Sequence, residues 1–291
     1  MFAESLWYRG LLQCPDCAGE LAEEGWLVCE ACGYYATGQG GRDFRPHAPR
    51  GCDLACTRVL AQPVGEWLAS LDVAPPAVTY DGPRARRDSP ELLSEVQRYA
   101  SKGSLVLDLG CGPRDQATPM EYLGYRYLGV DYSGKDADLL VDAHALPFKL
   151  ASFDVVFSYA VLEHLHNPFV ALSEIVRVLK PGGIYIGTVS QGEPFHDSYF
   201  HHTPWGVLSL AASQSTLDVR RLWATGDTLF SLARMGRYPR IIRTLLRALA
   251  TVDRHVPWLA PRRARWPDAQ KRVEALYRAG SLGFVMQKTE Q

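Results

Sequence analysis

Four cysteines come as two pairs, Cys14-Pro15-Asp16-Cys17 and Cys29-Glu30-Ala31-Cys32, with two residues inside each pair and eleven between the pairs. Two hairpin turns of this kind can present four thiolates tetrahedrally to one Zn²⁺, and four thiolates leave no open position for water, so the zinc would be structural. Buried thiols or two disulfides are the alternative. A doubled Cys-x-x-Cys in a sequence with no secretory segment favours metal over both. Gly19 and Gly33, just after each pair, are expected to supply the positive φ that such knuckles need.

A second constellation surrounds a glycine turn, Asp108-Leu109-Gly110-Cys111-Gly112-Pro113, which follows an apolar strand. A dinucleotide-binding turn would want a third glycine where this chain has Asp115, and it would not explain the acid two residues before Gly110. The run resembles the first motif of class I S-adenosylmethionine-dependent methyltransferases, except that Arg114 stands where that family often has glycine, which implies crowding near the methionine end of the cofactor.

Further segments extend the resemblance in order: Gly129-Val130-Asp131-Tyr132-Ser133, Asp142-Ala143-His144-Ala145-Leu146-Pro147-Phe148, Phe153-Asp154-Val155-Val156-Phe157-Ser158, Val161-Leu162-Glu163-His164-Leu165 and Leu179-Lys180-Pro181-Gly182-Gly183. The resemblance implies S-adenosylmethionine as cofactor, with Asp108, Gly110, Gly112, Asp131, Tyr132, Asp142, Ala143 and Ser158 binding it. Asp131 would accept both ribose hydroxyls, which an ionised carboxylate has the capacity to do, and Asp142 would accept from the adenine amine.

Methyl transfer from a sulfonium needs orientation and, for a weakly acidic acceptor, a base. Ser158-Tyr159-Ala160-Val161 occupies the place where amine methylases of bases and amides carry an Asn-Pro-Pro-Tyr run, which argues against N-methylation of those groups. Cys111 lies in the cofactor turn, so a cysteine route to C5-methylpyrimidines lacks its nucleophile. His164 and His196 are the candidate general bases, the second within Glu193-Pro194-Phe195-His196-Asp197-Ser198-Tyr199-Phe200-His201-His202. The same cluster could instead clamp substrate, hold a metal, or simply lead into a helix start at His202-Thr203-Pro204.

Stepping outward from these groups, the ribbon's flanks, Leu12-Gln13 ahead of the first pair and Gly41-Arg42-Asp43-Phe44-Arg45-Pro46 after the second, make residues 1–46 resemble the zinc-ribbon module of small activator proteins that accompany tRNA, rRNA and release-factor methyltransferases. Tyr34-Tyr35-Ala36-Thr37 departs from that family's Tyr-Pro step. Residues 47–88, rich in Pro and Arg, read as a linker with one short helix near 64–71. Ser89-Pro90-Glu91 is a helix start, with Ser89 as N-cap. From 104 onward strands alternate with helices, the pattern of an α/β, doubly wound, Rossmann-like and mostly parallel sheet. Strands are expected at 105–109, 127–131, 139–142, 153–158, 183–190, 217–222 and 282–288, and helices at 168–179 and 203–214.

Before the last strand, residues 226–281 form an insertion with twelve Lys or Arg against four Asp or Glu, whereas the whole chain of 291 residues has a net charge of −1. Ile241, Ile242, Leu245, Leu246 and Leu249 share one helical face and Arg240, Arg243 and Arg247 the other, so the expectation is an amphipathic helix packing over the active site. The functional alternative is a basic, apolar lid for an anionic or lipid-linked acceptor, with peripheral membrane contact.

Seven cysteines without a secretory or membrane-spanning run imply a cytoplasmic protein. Cys52 and Cys56 read as free thiols. The reading is a methyltransferase acting on oxygen or carbon of a small-molecule, glycan or natural-product acceptor. RNA methylation and a non-catalytic cofactor-binding adaptor stand as alternatives; oligomeric state is not legible.

Overall fold

The computed structural model describes residues 7–22, 27–38, 41–47, 64–85, 89–255 and 268–290. Trp26, Cys52 and Cys56 lie outside the described residues. Strands β1 (Leu105–Leu109), β2 (Arg126–Asp131), β3 (Leu139–Leu140), β4 (Phe153–Tyr159), β5 (Leu179–Ser190), β6 (Leu217–Asp227) and β7 (Ala279–Lys288) form one sheet in the order β3-β2-β1-β4-β5-β7-β6. All neighbours from β3 to β5 are parallel, and β7 runs antiparallel to both β5 and β6. This is the mostly parallel, Rossmann-like arrangement expected from the alternating pattern.

Strands buried on both faces must be apolar along their length, and alternate residues serve opposite cores. Val106, Val155, Phe157, Ile184 and Ile186 join one cluster with Leu92, Leu93 and Val96 of α2 (Pro90–Tyr99) and Met120 of α3 (Ala117–Tyr122). Leu107, Phe153, Val156, Tyr185 and Val189 join the other with α4 (Pro168–Val178) and α5 (Pro204–Ala212). Asn167 and Thr203 cap these last two helices, accepting from Val170 N and Gly206 N. Ser89 does not cap α2 in this way; its Oγ donates to Glu91 Oε2 at 3.0 Å.

Several boundaries differ from expectation. The turn at 180–183, expected to end a helix outside the sheet, is taken into the start of β5, where a register shift against β4 and a left-handed Gly182 (φ 75°) absorb it. β3 keeps only two residues. β6 and β7 run further than expected and close the ends of the insertion.

The described residues among the first 47 do not sit apart. Leu12, Cys14, Tyr34 and Phe44 belong to the same buried cluster as the sheet. Phe44 N donates to Leu140 O at 2.7 Å and Leu140 N to Arg42 O at 2.8 Å, so this segment extends the sheet past β3. Gln13 and Lys149 add backbone bonds to Pro147 O and Leu11 O. The stretch expected to link is also packed. α1 (Val64–Ser70) sends Leu68 into the main cluster, Asp72 bridges Arg221 of β6 at 2.6 Å, and Ser94 Oγ accepts from the amides of Thr79 and Tyr80.

The insertion holds α6 (Thr228–Met235), α7 (Arg240–His255) and α8 (Asp268–Tyr277). α7 packs on α6, where Arg243 Nε donates to Ala233 O at 2.8 Å, and its Ala250 is buried. Of the residues expected on the apolar face, Ile241, Ile242, Leu245 and Leu249 are 39% to 70% exposed and Leu246 is half-buried, so most of that face points outward, where it was expected to pack over the active site. Among the described residues no helix is long and apolar enough to cross a membrane.

Candidate functional site

Ligands of an open α/β sheet sit at the carboxyl ends of its strands, beside the point where strand order reverses. Here the ends of β1, β2 and β4 open on a cavity of about 490 Å³. Gly110, Asp131, Tyr132, Asp142, Ala143 and His164 line it, together with His144, Ala160, Val161, His166 and Tyr199.

The glycine turn is built as the sequence requires. Gly110 has φ 73° and Gly112 φ 52°, and a Cβ on Gly110 would stand 2.4 Å from Val161 Cγ2, so a side chain is excluded by backbone and by neighbour. Gly112 N donates to Asp131 Oδ2 at 2.9 Å, and Ser133 N to Asp131 Oδ1 at 3.2 Å. Each oxygen retains acceptor capacity for a ligand. Arg114 is itself left-handed (φ 60°), in keeping with the glycine frequent there in the family it resembles. Its guanidinium pairs with Asp138 and lies 5.3 Å over the Tyr127 ring, so it is held by neighbours of the turn instead of crowding the cavity.

Two of the expected cofactor residues, Asp108 and Ser158, are behind the cavity wall, and Gly112 is exposed beside it. Asp108 is 1% exposed, and its Oδ2 accepts from Tyr127 OH at 2.6 Å. Burial pushes its carboxyl up to about 7, against the opposing pull of the Tyr127 hydroxyl. Ser158 is fully buried and hydrogen-bonded to Tyr185 OH at 2.9 Å. Gly112 meets the site through its amide on Asp131.

At Asp142, burial works to raise the carboxyl, and the His144 side chain and amide overcome it, leaving the group below the usual carboxylate range. Asn167 N donates to His144 Nε2 at 3.2 Å, so His144 carries its proton on Nδ1 and gives it to Asp142 Oδ1 at 2.7 Å. This His144 latch was not singled out from sequence, although the Asp-x-His spacing was visible. His166 and Tyr199 were missed too, because nothing local says that the loop after β5 returns to β4.

His164 and His196 come together, their rings 5.2 Å apart. Glu163 lies beside them, its Oε1 accepting from Ser190 N at 3.1 Å and Ser190 Oγ at 2.9 Å. A second cavity, about 510 Å³, is lined by Tyr159, the residue before Ala160 of the first; Thr188, Glu193, Arg234 and Arg247 are among its walls.

Cys14, Cys17, Cys29 and Cys32 bring their Sγ atoms within 4.8 Å of one another, with Cys14–Cys32 at 3.6 Å and Cys17–Cys29 at 3.5 Å. Ligand sulfurs on one tetrahedral Zn²⁺ are about 3.8 Å apart, given Zn–S bonds near 2.3 Å. At the first knuckle Ala18 (φ 61°) takes the left-handed position expected of Gly19; Gly19 is needed for closeness, since a Cβ there would meet Cys17 Sγ at 3.2 Å and Cys29 Sγ at 3.3 Å. Gly33 has the expected positive φ of 77°.

An O-methyltransferase of ubiquinone biosynthesis from Maricaulis maris is 34% identical over 101 residues, 29% of this chain and 40% of its own length. An uncharacterised 37.1 kDa protein in transposon TN4556 of Streptomyces fradiae is 30% identical over 209 residues, 64% of this chain and 55% of its own length. The chain therefore spans about half or less of these two relatives. A Haemonchus contortus phosphoethanolamine N-methyltransferase 2, solved with S-adenosyl-L-methionine, superposes with a TM-score of 0.43 at 18% identity, covering 78% of this chain and 56% of that one. Residues 107–187, from β1 through the glycine turn, Asp131, Asp142 and His164 into β5, match the family model described as a methyltransferase domain.

Proposed function

We propose that the protein is an S-adenosylmethionine-dependent methyltransferase acting on an oxygen or carbon of a small-molecule, glycan or natural-product acceptor. The observation that carries this reading is the junction of β1 and β2, where Asp131 accepts from Gly112 N in the wall of a cavity it shares with Gly110 and Asp142. When bound, the cofactor supplies a methyl on a sulfonium whose departure needs no protonation.

The chain's own residues bind and orient. Asp131 accepts ribose hydroxyls with its remaining lone pairs, Asp142, fixed by His144, accepts the adenine amine, and bare Gly110 lets the ligand approach the backbone. Asp108 and Ser158 act as positioning residues, holding the wall through Tyr127 and Tyr185. His164 and His196 stand where a proton from an acceptor hydroxyl can be taken up. The second cavity, with Arg234 and Arg247 in its wall, is the place for the acceptor and suits one carrying negative charge.

The four-cysteine cluster fits a structural Zn²⁺ by its spacing and its all-thiolate donor set, and a thiolate metal site of this kind supports the reading of a cytoplasmic protein. The test of the function is methyl transfer from labelled cofactor across an acceptor panel, beside calorimetry with S-adenosylhomocysteine. Transfer to an acceptor is expected; tight NADH binding with no affinity for the sulfonium cofactor or its product would reject the assignment. Cofactor affinity with no transfer to any acceptor would favour an adaptor over an enzyme.

A further inference from the structure

Glu163 and His164 end the single 3₁₀ turn Leu162–His164 after β4, and His196 lies in the loop after β5. One donor atom from each lies within 4.8 Å of the other two. We infer that Glu163, His164 and His196 bind a divalent first-row metal ion, separate from the four-cysteine cluster and open to the cofactor cavity that His164 lines.

The tautomers support it. His164 Nδ1 is 3.1 Å from Asp197 O and His196 Nδ1 is 2.7 Å from Pro194 O. A carbonyl oxygen can only accept, so each ring carries a proton on Nδ1 and presents a lone pair on Nε2. That is the outer-shell arrangement of metal-binding histidines, where a carbonyl on one ring nitrogen fixes the other as ligand. The third donor is independent of them. Glu163 is fully buried, and while Oε1 is satisfied by Ser190, Oε2 has no hydrogen-bond partner. A buried carboxylate oxygen without a partner is costly, and a cation beside it removes the cost.

Ligand bonds of 2.0–2.2 Å set donors of one tetrahedral ion about 3.3–3.6 Å apart, so donors within 4.8 Å of one another need close by at most about 1.5 Å. Two imidazoles and a carboxylate suit Zn²⁺, Mn²⁺ or Fe²⁺, and three protein ligands leave coordination positions for an acceptor oxygen. This last use rests on the methyltransferase reading. With both Nε2 lone pairs on the ion, the histidines would act as ligands in place of bases: a hydroxyl on the ion would release its proton to solvent, its oxygen would bond to the methyl carbon, and the C–S pair would stay on sulfur.

Mn²⁺ is the discriminating probe, because thiolates bind it poorly and the four-cysteine cluster stays out of the titration. Electron paramagnetic resonance of the full chain should show one bound Mn²⁺, displaced by Zn²⁺. His164→Gln and His196→Gln, both on side chains that are at least partly exposed, should each weaken binding at least tenfold, and Glu163→Gln should do the same while keeping its bonds to Ser190. Thermal melts on the same samples check folding. Absence of bound Mn²⁺ in the native chain, or unchanged Mn²⁺ affinity in both folded histidine variants, would overturn the site. S-adenosylhomocysteine affinity, read in parallel, tests the cofactor reading: its loss with Mn²⁺ binding intact counts against that reading and leaves the ion site supported.

Discussion

The two edges of the sheet are finished in opposite ways. Beyond β3, the cysteine-bearing segment pairs its backbone with Leu140, sends Tyr34 and Phe44 into the common core, and stacks Arg45 5.3 Å over the ring of Tyr132. Beyond β7 and β6, the insertion turns α7 so that its apolar residues face outward and only Ala250 is fully buried among its described residues. One edge is tied by main chain, metal-ligand spacing and core; the other is tied by a helix pair. The tied edge adjoins the first cavity and the looser one the second, the arrangement that the proposed division between a fixed cofactor and a varied acceptor would use.

The largest expected effect lies at the tied edge. Structural Zn²⁺ in small modules contributes apparent free energies of ~10–16 kcal/mol, so the segment should not fold without it. Cys14→Ser should lower zinc content, measured by metal analysis of anaerobically purified protein, and depress the melting temperature. Cofactor affinity should fall with it, since Arg42 Nε donates to Asp138 O at 2.8 Å and Arg45 buttresses Tyr132. If native protein contains no zinc, or if stripped protein melts and binds cofactor unchanged, the edge is not held by metal.

Next in size is a central effect that should weaken both edges alike. The folded Asp108 carboxyl, held at about 7 by burial, lies above the unfolded value near 3.9. The native state therefore keeps its proton while the unfolded chain loses it. The contribution is complete below about pH 4 and is lost as pH rises to 7, on the order of 4 kcal/mol in all. Asp108→Asn should remove this loss. Urea midpoints compared at pH 5 and pH 8 should fall less in the variant than in the native chain; equal falls would mean that Asp108 is not the group responsible.

Cofactor binding gives the third. Asp131→Ala removes a charged acceptor and also frees Gly112 N and Ser133 N, so calorimetry should show a loss of about 1.5–3 kcal/mol in S-adenosylhomocysteine affinity, roughly ten- to hundredfold. Unchanged affinity would take Asp131 out of the site.

What could be read in advance was whatever a local backbone demand or a ligand spacing imposes. Gly33 announces positive φ, the paired cysteines announce four converging sulfurs, and the apolar strands announce a sheet buried on both faces. The pairing of residues 42–44 with Leu140 could not be read, because register between segments about a hundred positions apart leaves no local trace. Ala18 taking the left-handed place expected of Gly19 was hidden for a related reason: Gly19 is fixed by two sulfurs, not by its own dihedral. The apolar period of α7 was plain, but periodicity says that a face is apolar and not what it faces.

The smallest expected effect concerns that looser edge, and α7 itself decides which residues test it. Arg243 holds α6 through Ala233 O, so replacing it would loosen the helix pair as well as remove charge. Arg234 and Arg247 reach the second cavity. Exchanging both for Gln keeps a polar side chain and helix propensity while removing two charges beside the proposed acceptor place. Partly exposed ion pairs contribute ~0.2–1 kcal/mol each, so the KM for an anionic acceptor should rise about 1.4- to fivefold per arginine and respond less to salt. Cofactor affinity should stay as it was, because neither residue lines the first cavity. A change in cofactor affinity would show that the two edges act on one site together, and unchanged acceptor kinetics at low and high salt would leave the second cavity without a share in binding the acceptor.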